Sequence, residues 1–225
     1  MRILLVRHGQ TPANVRGSLD TAAPGPGLTE LGVRQAQAVV EALDQERIAA
    51  IYVSTLVRTH ETAAPLAEVL GLPLVQLDGI HEIEAGDLED RTDRDSVHAY
   101  LSTVFAWGSG DFSPRMPGAG DGHEFFARFD ASLAQVAREN ADDATVVVVS
   151  HGAAIRVWCA QRVAGLGDGF TGDNHLENTG VVVIEGSPEA GWRALSWAGM
   201  PIGGAALEDD TADDVLGESL DEALD

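Results

Sequence analysis

Two stretches of this sequence place reactive side chains at comparable points. The apolar run Ile3-Leu4-Leu5-Val6 breaks into Arg7-His8-Gly9-Gln10-Thr11, and Thr145-Val146-Val147-Val148-Val149 breaks into Ser150-His151-Gly152. Each run reads as a buried strand of a parallel sheet that delivers polar groups to its carboxyl end, where open α/β sheets bind ligands. Gly9 lets the chain turn sharply, and Thr11 and Asn14 add polar groups in the loop that follows. One histidine at a strand end is more often structural than chemical. Two, each followed by glycine and set beside Arg7, make a pocket with two imidazoles and a fixed positive charge. Backbone N–H groups at the start of a helix after His151 face the same pocket. Such a group of side chains suits chemistry on an anion.

Arg7-His8-Gly9 after an apolar strand resembles the signature of the histidine phosphatase superfamily, also called the phosphoglycerate mutase-like family. Further blocks resemble that family in order: Leu28-Thr29 with Gly32 and Gln35-Ala36, then Ser54, Leu56, Arg58, Thr62 and Ala63 in register, then Glu82, Gly86 and Glu89, and finally Ser150-His151-Gly152. Thr59 departs from the usual Ala. Pro117-Gly118-Ala119-Gly120-Asp121 stands where relatives often carry Pro-Gly-Gly-Glu-Ser, so contacts of that missing Glu do not carry over. The resemblance implies a three-layer α/β/α sandwich with a mostly parallel central sheet. It also implies roles: His8 as the nucleophile that becomes phosphohistidine, Arg7, Arg58 and His151 as clamps on the phosphoryl oxygens with Gly152 beside them, and Glu82 as proton donor. Asn14 is a weaker candidate for the same clamp.

His8 must be neutral at one ring nitrogen to attack, and the neighbouring guanidiniums favour that form. Glu82 must do the reverse and hold a proton. Burial and an incoming phosphate encourage this, while the arginines oppose it. The mechanism needs no metal, and the histidines lack ligand spacing such as His-Glu-x-x-His.

The elements that must position these groups follow from hydrophobic periodicity. Thr29 caps an amphipathic helix running to about Leu43, Ile48–Val53 is a second strand, and the helix after Ser54 carries Arg58 on its first turn. Leu74–Leu77 is a short strand before the acidic Glu82 loop. A helix from Arg91 to about Trp107 and a loop to Gly122 form the segment that covers the site in this family. Here residues 91–123 offer Arg91, Arg94 and Arg115 among Phe105, Trp107, Phe112 and Met116, which suggests a substrate with some apolar or ring-like surface. Phe125–Glu139 and Gly152–Ala164 read as helices, with a terminal strand pair at Val181–Ile184 and Trp192–Trp197.

The chain has 225 residues, 36 acidic against 14 basic, for a formal net charge of −22. That balance argues against nucleic acid or an anionic membrane as partner. The last twenty residues hold nine acids and no base, with Leu216, Leu220 and Leu224 at helical spacing. They read as a flexible tail (206–225) after one domain (1–205), and their removal is expected to cost little. The single Cys159 excludes an internal disulfide and, with no apolar leader, points to the cytoplasm.

The function expected is a metal-independent phosphomonoesterase, without cofactor, acting on a small phosphorylated metabolite; a homodimer is compatible with the sequence. The alternative is a cofactor-dependent phosphoglycerate mutase. The mutases of this fold typically carry Arg-His-Tyr after the donor glutamate, whereas Ile83-Glu84-Ala85 stands here and cannot grip a carboxylate. A non-catalytic phospho-ligand-binding regulator is a third reading, disfavoured because all five core residues are present. A protein that binds metal through its seven histidines is a fourth.

Overall fold

The computed structural model describes residues 1–166, 174–209 and 211–217. Its elements follow the expected order with two additions, a short helix at Pro12–Arg16 in the expected loop and a two-residue strand at Val163–Ala164 where the helix after His151 is expected to run on. The elements are β1 (Arg2–Arg7), α1 (Pro12–Arg16), α2 (Glu30–Leu43), β2 (Ile48–Val53), α3 (Val57–Leu70), β3 (Leu74–Gln76), α4 (Arg94–Gly108), α5 (Gly122–Glu139), β4 (Thr145–Ser150), α6 (Gly152–Arg162), β5 (Val163–Ala164), β6 (Val181–Ser187) and β7 (Gly191–Ala198). The strands make one seven-stranded sheet in the order β3-β2-β4-β1-β6-β7-β5. β1 runs parallel to β4, and β6 pairs antiparallel with both β1 and β7. This is the mostly parallel three-layer sandwich that the resemblance implied.

The layering is written in the alternation of the two inner strands. Leu4, Val6, Val147 and Val149 pack with Ile51 of β2 and with Val39 and Leu66 of one helical layer. Ile3, Leu5, Val146 and Val148 face a second core with Tyr100, Phe129 and Trp158. Strands apolar on both faces are what a sheet covered by helices on both sides requires. Because β1 and β4 pair with Arg7 opposite Ser150, both strands end at one level of the sheet. His8 and His151 follow side by side.

Two expectations differ from the structure. The aromatic lid is core: Trp107 and Met116 are buried, Trp107 stacks on Phe125, and its indole N–H donates to the Pro114 carbonyl at 2.9 Å. Arg91 and Arg115 are exposed and paired with Asp93 and Asp121, and Arg94 is also exposed. Periodicity could not distinguish a lid from a core helix, since both are apolar on one face. The acidic terminal segment is packed as far as Gly217. Asp214, Val215 and Leu216 are buried, and Leu207 and Asp209 accept hydrogen bonds from Gln35 and Gln10 (both 2.8 Å). Charge alone suggested flexibility, but a buried cation supplies this segment with a partner. Leu220 and Leu224 lie outside the described residues.

Candidate active site

His8 follows the last residue of β1, and its main-chain N–H extends the ladder to Ser150 O at 3.0 Å. Its Nδ1 lies 2.8 Å from the Gly9 carbonyl. A carbonyl can only accept, so Nδ1 carries the hydrogen and Nε2 keeps its lone pair. The ring is fully buried, and burial first, then Arg58 and Arg7, hold its pKa well below the usual imidazole range. Desolvation, more than the neighbouring cations that the sequence makes evident, is the cause.

The loop after His8 is locked by α2 and α3. Thr29 N–H donates to Gln10 O (2.9 Å), Gln10 N–H to Gln35 Oε1 (2.8 Å), and Gly9 N–H to Thr62 Oγ1 (2.9 Å). A Cβ on Gly9 would lie 2.8 Å from Gly32 O, so two glycines permit the backbones to meet. The Leu-Thr-x-x-Gly stretch, which read as a packed helix start, therefore positions the histidine loop.

His151 sits 5.1 Å from His8 between ring centroids. Its Nε2 is 2.8 Å from Ser54 Oγ, which also receives Leu56 N–H at 3.2 Å. With Ser54 donating its hydroxyl hydrogen to Nε2, Nδ1 of His151 is the protonated nitrogen. Burial, then Arg58 and His8, also keep this imidazole well below its usual pKa. Ser54, which the sequence block contains without a role, is the hydrogen-bond partner that orients the His151 ring.

Both arginines are buried. Arg58, on the first turn of α3, donates from Nη1 to Asp20 Oδ1 (3.2 Å) and from Nη2 to Asp20 O (2.9 Å). Burial lowers its pKa while Asp20 opposes the shift. Arg7 donates from Nη1 to Leu176 O (2.8 Å) and from Nη2 to Asp214 Oδ1 (2.7 Å), and Nη1 lies 2.6 Å from Oδ2. Asn14 closes α1's capping box through its Oδ1, and its Nδ2 donates to the same Asp214 oxygen at 2.8 Å. Neither Asp20 nor Asp214 was anticipated. No local pattern marks an acid 38 or 207 positions away from its arginine.

Glu82 is buried at the start of α6. Its Oε1 accepts from Ile83 N and Ala154 N (both 2.8 Å) and its Oε2 from Ala153 N (3.2 Å). Gly152, at the first position of α6, lies against Arg7, since a Cβ there would sit 3.0 Å from Nε. Arg128 of α5 holds the Glu82 loop by donating to the carbonyls of Gly79, His81 and Glu82 (2.7, 2.8 and 2.7 Å). Every site residue expected from the sequence thus gathers at the ends of β1 and β4.

Among the described residues, Arg7 Nε, Arg58 Nε and His151 Nδ1 are buried without a hydrogen-bond partner. Leaving a buried donor unpaired costs about 1–3 kcal/mol, so three in one site indicate a ligand rich in acceptor oxygens. A phosphoryl group is one.

The neutral histidines carry a stability signature. Their folded pKa lies below the unfolded value, so the unfolded chain binds protons first and stability rises with pH. It is fully present above about pH 6.5 and is lost as pH falls, by up to about 1.4 kcal/mol per pH unit for each histidine. Denaturant unfolding at about pH 7.5 and about pH 5.5 should show this fall, and a smaller one in His8→Asn. Equal pH dependence in the two proteins would mean that His8 is not held neutral.

The fold and the paired histidine ends define a class. Residues 3–199 match the model of the histidine phosphatase superfamily, branch 1, and the chain belongs to that superfamily. It is 40% identical over 216 residues to the PE-PGRS family protein PE_PGRS11 of Mycobacterium tuberculosis, covering 90% of this chain but spanning 37% of that relative's length. It is 33% identical over 151 residues to the adenosylcobalamin/alpha-ribazole phosphatase of Salmonella typhimurium, covering 67% of this chain and 74% of the relative. The solved structure of a mycobacterial glucosyl-3-phosphoglycerate phosphatase superposes with a TM-score of 0.71 at 27% identity, over 88% of this chain and 98% of that one. Family and relatives place the chain with the phosphoric monoester hydrolases. No described helix is long and apolar enough to cross a membrane.

Proposed function

We propose that the protein hydrolyses a small phosphomonoester through a phosphohistidine on His8. The observation that carries this reading is a neutral imidazole with Nε2 unprotonated, set among three buried donors that lack partners. Nε2 attacks phosphorus, the N–P bond forms, and the P–O bond to the leaving alcohol breaks. Arg7, Arg58 and His151 offset the charge on the equatorial oxygens. Glu82 supplies the leaving oxygen's proton from Oε2, which has the single, longer amide contact, and takes one from water when the N–P bond is cleaved.

An open groove of about 630 Å³ adjoins the Asp20 loop, lined among others by Thr21, Leu56, Asp78, His81, Glu84 and Ala119. Its acids disfavour a leaving group with a second negative charge, and its small walls do not form an aromatic clamp. A leaving group seated in this groove is a neutral or cationic alcohol rather than a carboxylate-bearing one.

Hydrolysis is favoured over mutase action for a structural reason. Glu84 is exposed, and Ile83 is buried with its carbonyl accepting from Tyr100 Oη at 3.0 Å. Neither offers a cation to retain a phosphorylated acid while phosphate is returned. A panel of phosphomonoesters, read by released phosphate, should show turnover that is poor for 3-phosphoglycerate. Efficient formation of 2-phosphoglycerate from 3-phosphoglycerate in the presence of 2,3-bisphosphoglycerate, without comparable phosphate release, would install the mutase instead.

A further inference from the structure

The acidic terminal segment carries a carboxylate into the site itself. Arg7 meets Asp214 through both terminal nitrogens, and Asn14 donates to the same carboxylate. These are two of the groups assigned above to the phosphoryl oxygens. A planar carboxylate satisfies an arginine fork in the way that two oxygens of a phosphate do. The segment is seated on the machinery. Leu176 N–H donates to Gly217 O at 2.9 Å, a Cβ on Gly217 would overlap the Arg7 guanidinium, and one on Gly152 would overlap Leu216 O. Glu177 adds to the negative field at Arg7.

From this geometry we propose that Asp214 is an intramolecular competitor for the phosphoryl site, and that residues 211–217 form a strap which must release Arg7 and Asn14 before substrate binds. The proposal rests on reading the site as a phosphoryl site. Asp214 takes both terminal nitrogens of Arg7 and the amide of Asn14 and leaves Arg7 only its unpaired Nε for a phosphoryl oxygen, so a full grip on a phosphate dianion must displace a carboxylate that also repels it. The apparent affinity of substrate is then reduced by the fraction of molecules with the strap open. An acid held on the chain at high local concentration sets a threshold that only a well-bound phosphomonoester passes.

The test uses the full chain. Asp214→Asn keeps the shape of the side chain and removes its charge. Inorganic phosphate, measured by calorimetry, should bind this variant about tenfold or more tighter than the wild type. KM for p-nitrophenyl phosphate should fall by a similar factor, with kcat changing much less. Weaker phosphate binding with a raised KM would show instead that Asp214 positions Arg7 and Asn14, and would overturn the proposal. Equal affinity in the two proteins would leave the oxyanion site standing and remove the competitor; phosphate binding to neither would remove both. Hydrogen exchange on the wild type gives a reading that needs no variant. Saturating phosphate should speed exchange at Leu176 and across 211–217, and unchanged or slower exchange there would overturn the strap.

Discussion

His8→Ala is expected to be folded and catalytically dead. Among the described residues the His8 side chain hydrogen-bonds to the carbonyl of its own neighbour Gly9, a local bond worth about 1 kcal/mol, and its ring otherwise packs beside that of His151. Removing the imidazole from a cationic pocket also ends the uptake of a proton by the unfolded chain that weakens the wild type in acid. The chemical cost is of another order. Without Nε2 no N–P bond forms, and direct attack by water must do without the positioned nucleophile, a loss on the order of 10⁴-fold or more in kcat. Rapid quenching with a labelled phosphomonoester should trap an acid-labile phosphoprotein in the wild type and none in the variant. Label retained by His8→Ala, or turnover within tenfold of wild type, would move the nucleophile elsewhere.

Much of this site was legible because its signal is local. A strand apolar on both faces that ends in Arg-His-Gly or Ser-His-Gly states its burial and its exit point within eight residues, and parallel pairing does the rest. Arg58 was legible for the same reason, being five residues past the end of a strand and on the first turn of a helix. What was not legible is what the arginines hold. Asp20 lies in an irregular loop and Asp214 in a run of acids, and nothing in either neighbourhood separates the one buried carboxylate from its exposed neighbours. Asp213 is exposed and Asp214 is buried. That difference is created by the guanidinium it meets, a tertiary effect that no composition argument carries. The lid failed differently: Trp107 and Met116 are the right residues for a substrate surface, but α5 and the second core claim them first.

Arg58→Ala should lose about 3 kcal/mol of transition-state stabilisation, on the order of 100-fold in kcat/KM, the scale for removing one strong preorganised donor from a dry site. Lysine should restore little of it, and the reason is specific. Both terminal nitrogens of Arg58 are committed, one to Asp20 Oδ1 and the other to Asp20 O, and Gly25 lies close enough that a Cβ there would sit 2.7 Å from Nη1. Nε–H is buried and without a partner among the described residues. Arg58 therefore works as a fork in two directions, tying the Asp20 loop down with its tip while offering Nε to a phosphoryl oxygen. A lysine ammonium is a single point charge at the end of a flexible stem and cannot occupy both places. If it stays with Asp20 the phosphoryl group loses a donor. If it turns to the phosphoryl group, Asp20 is left buried beside Glu89 without its guanidinium, and burial already pushes the Asp20 carboxyl up. Arg58→Lys should then combine a low kcat/KM with a loosened loop, seen as faster hydrogen exchange across 20–27. Asp20→Asn, which keeps the guanidinium, should retain more activity than Arg58→Lys. Wild-type kcat/KM in Arg58→Lys would show that the fork is not used.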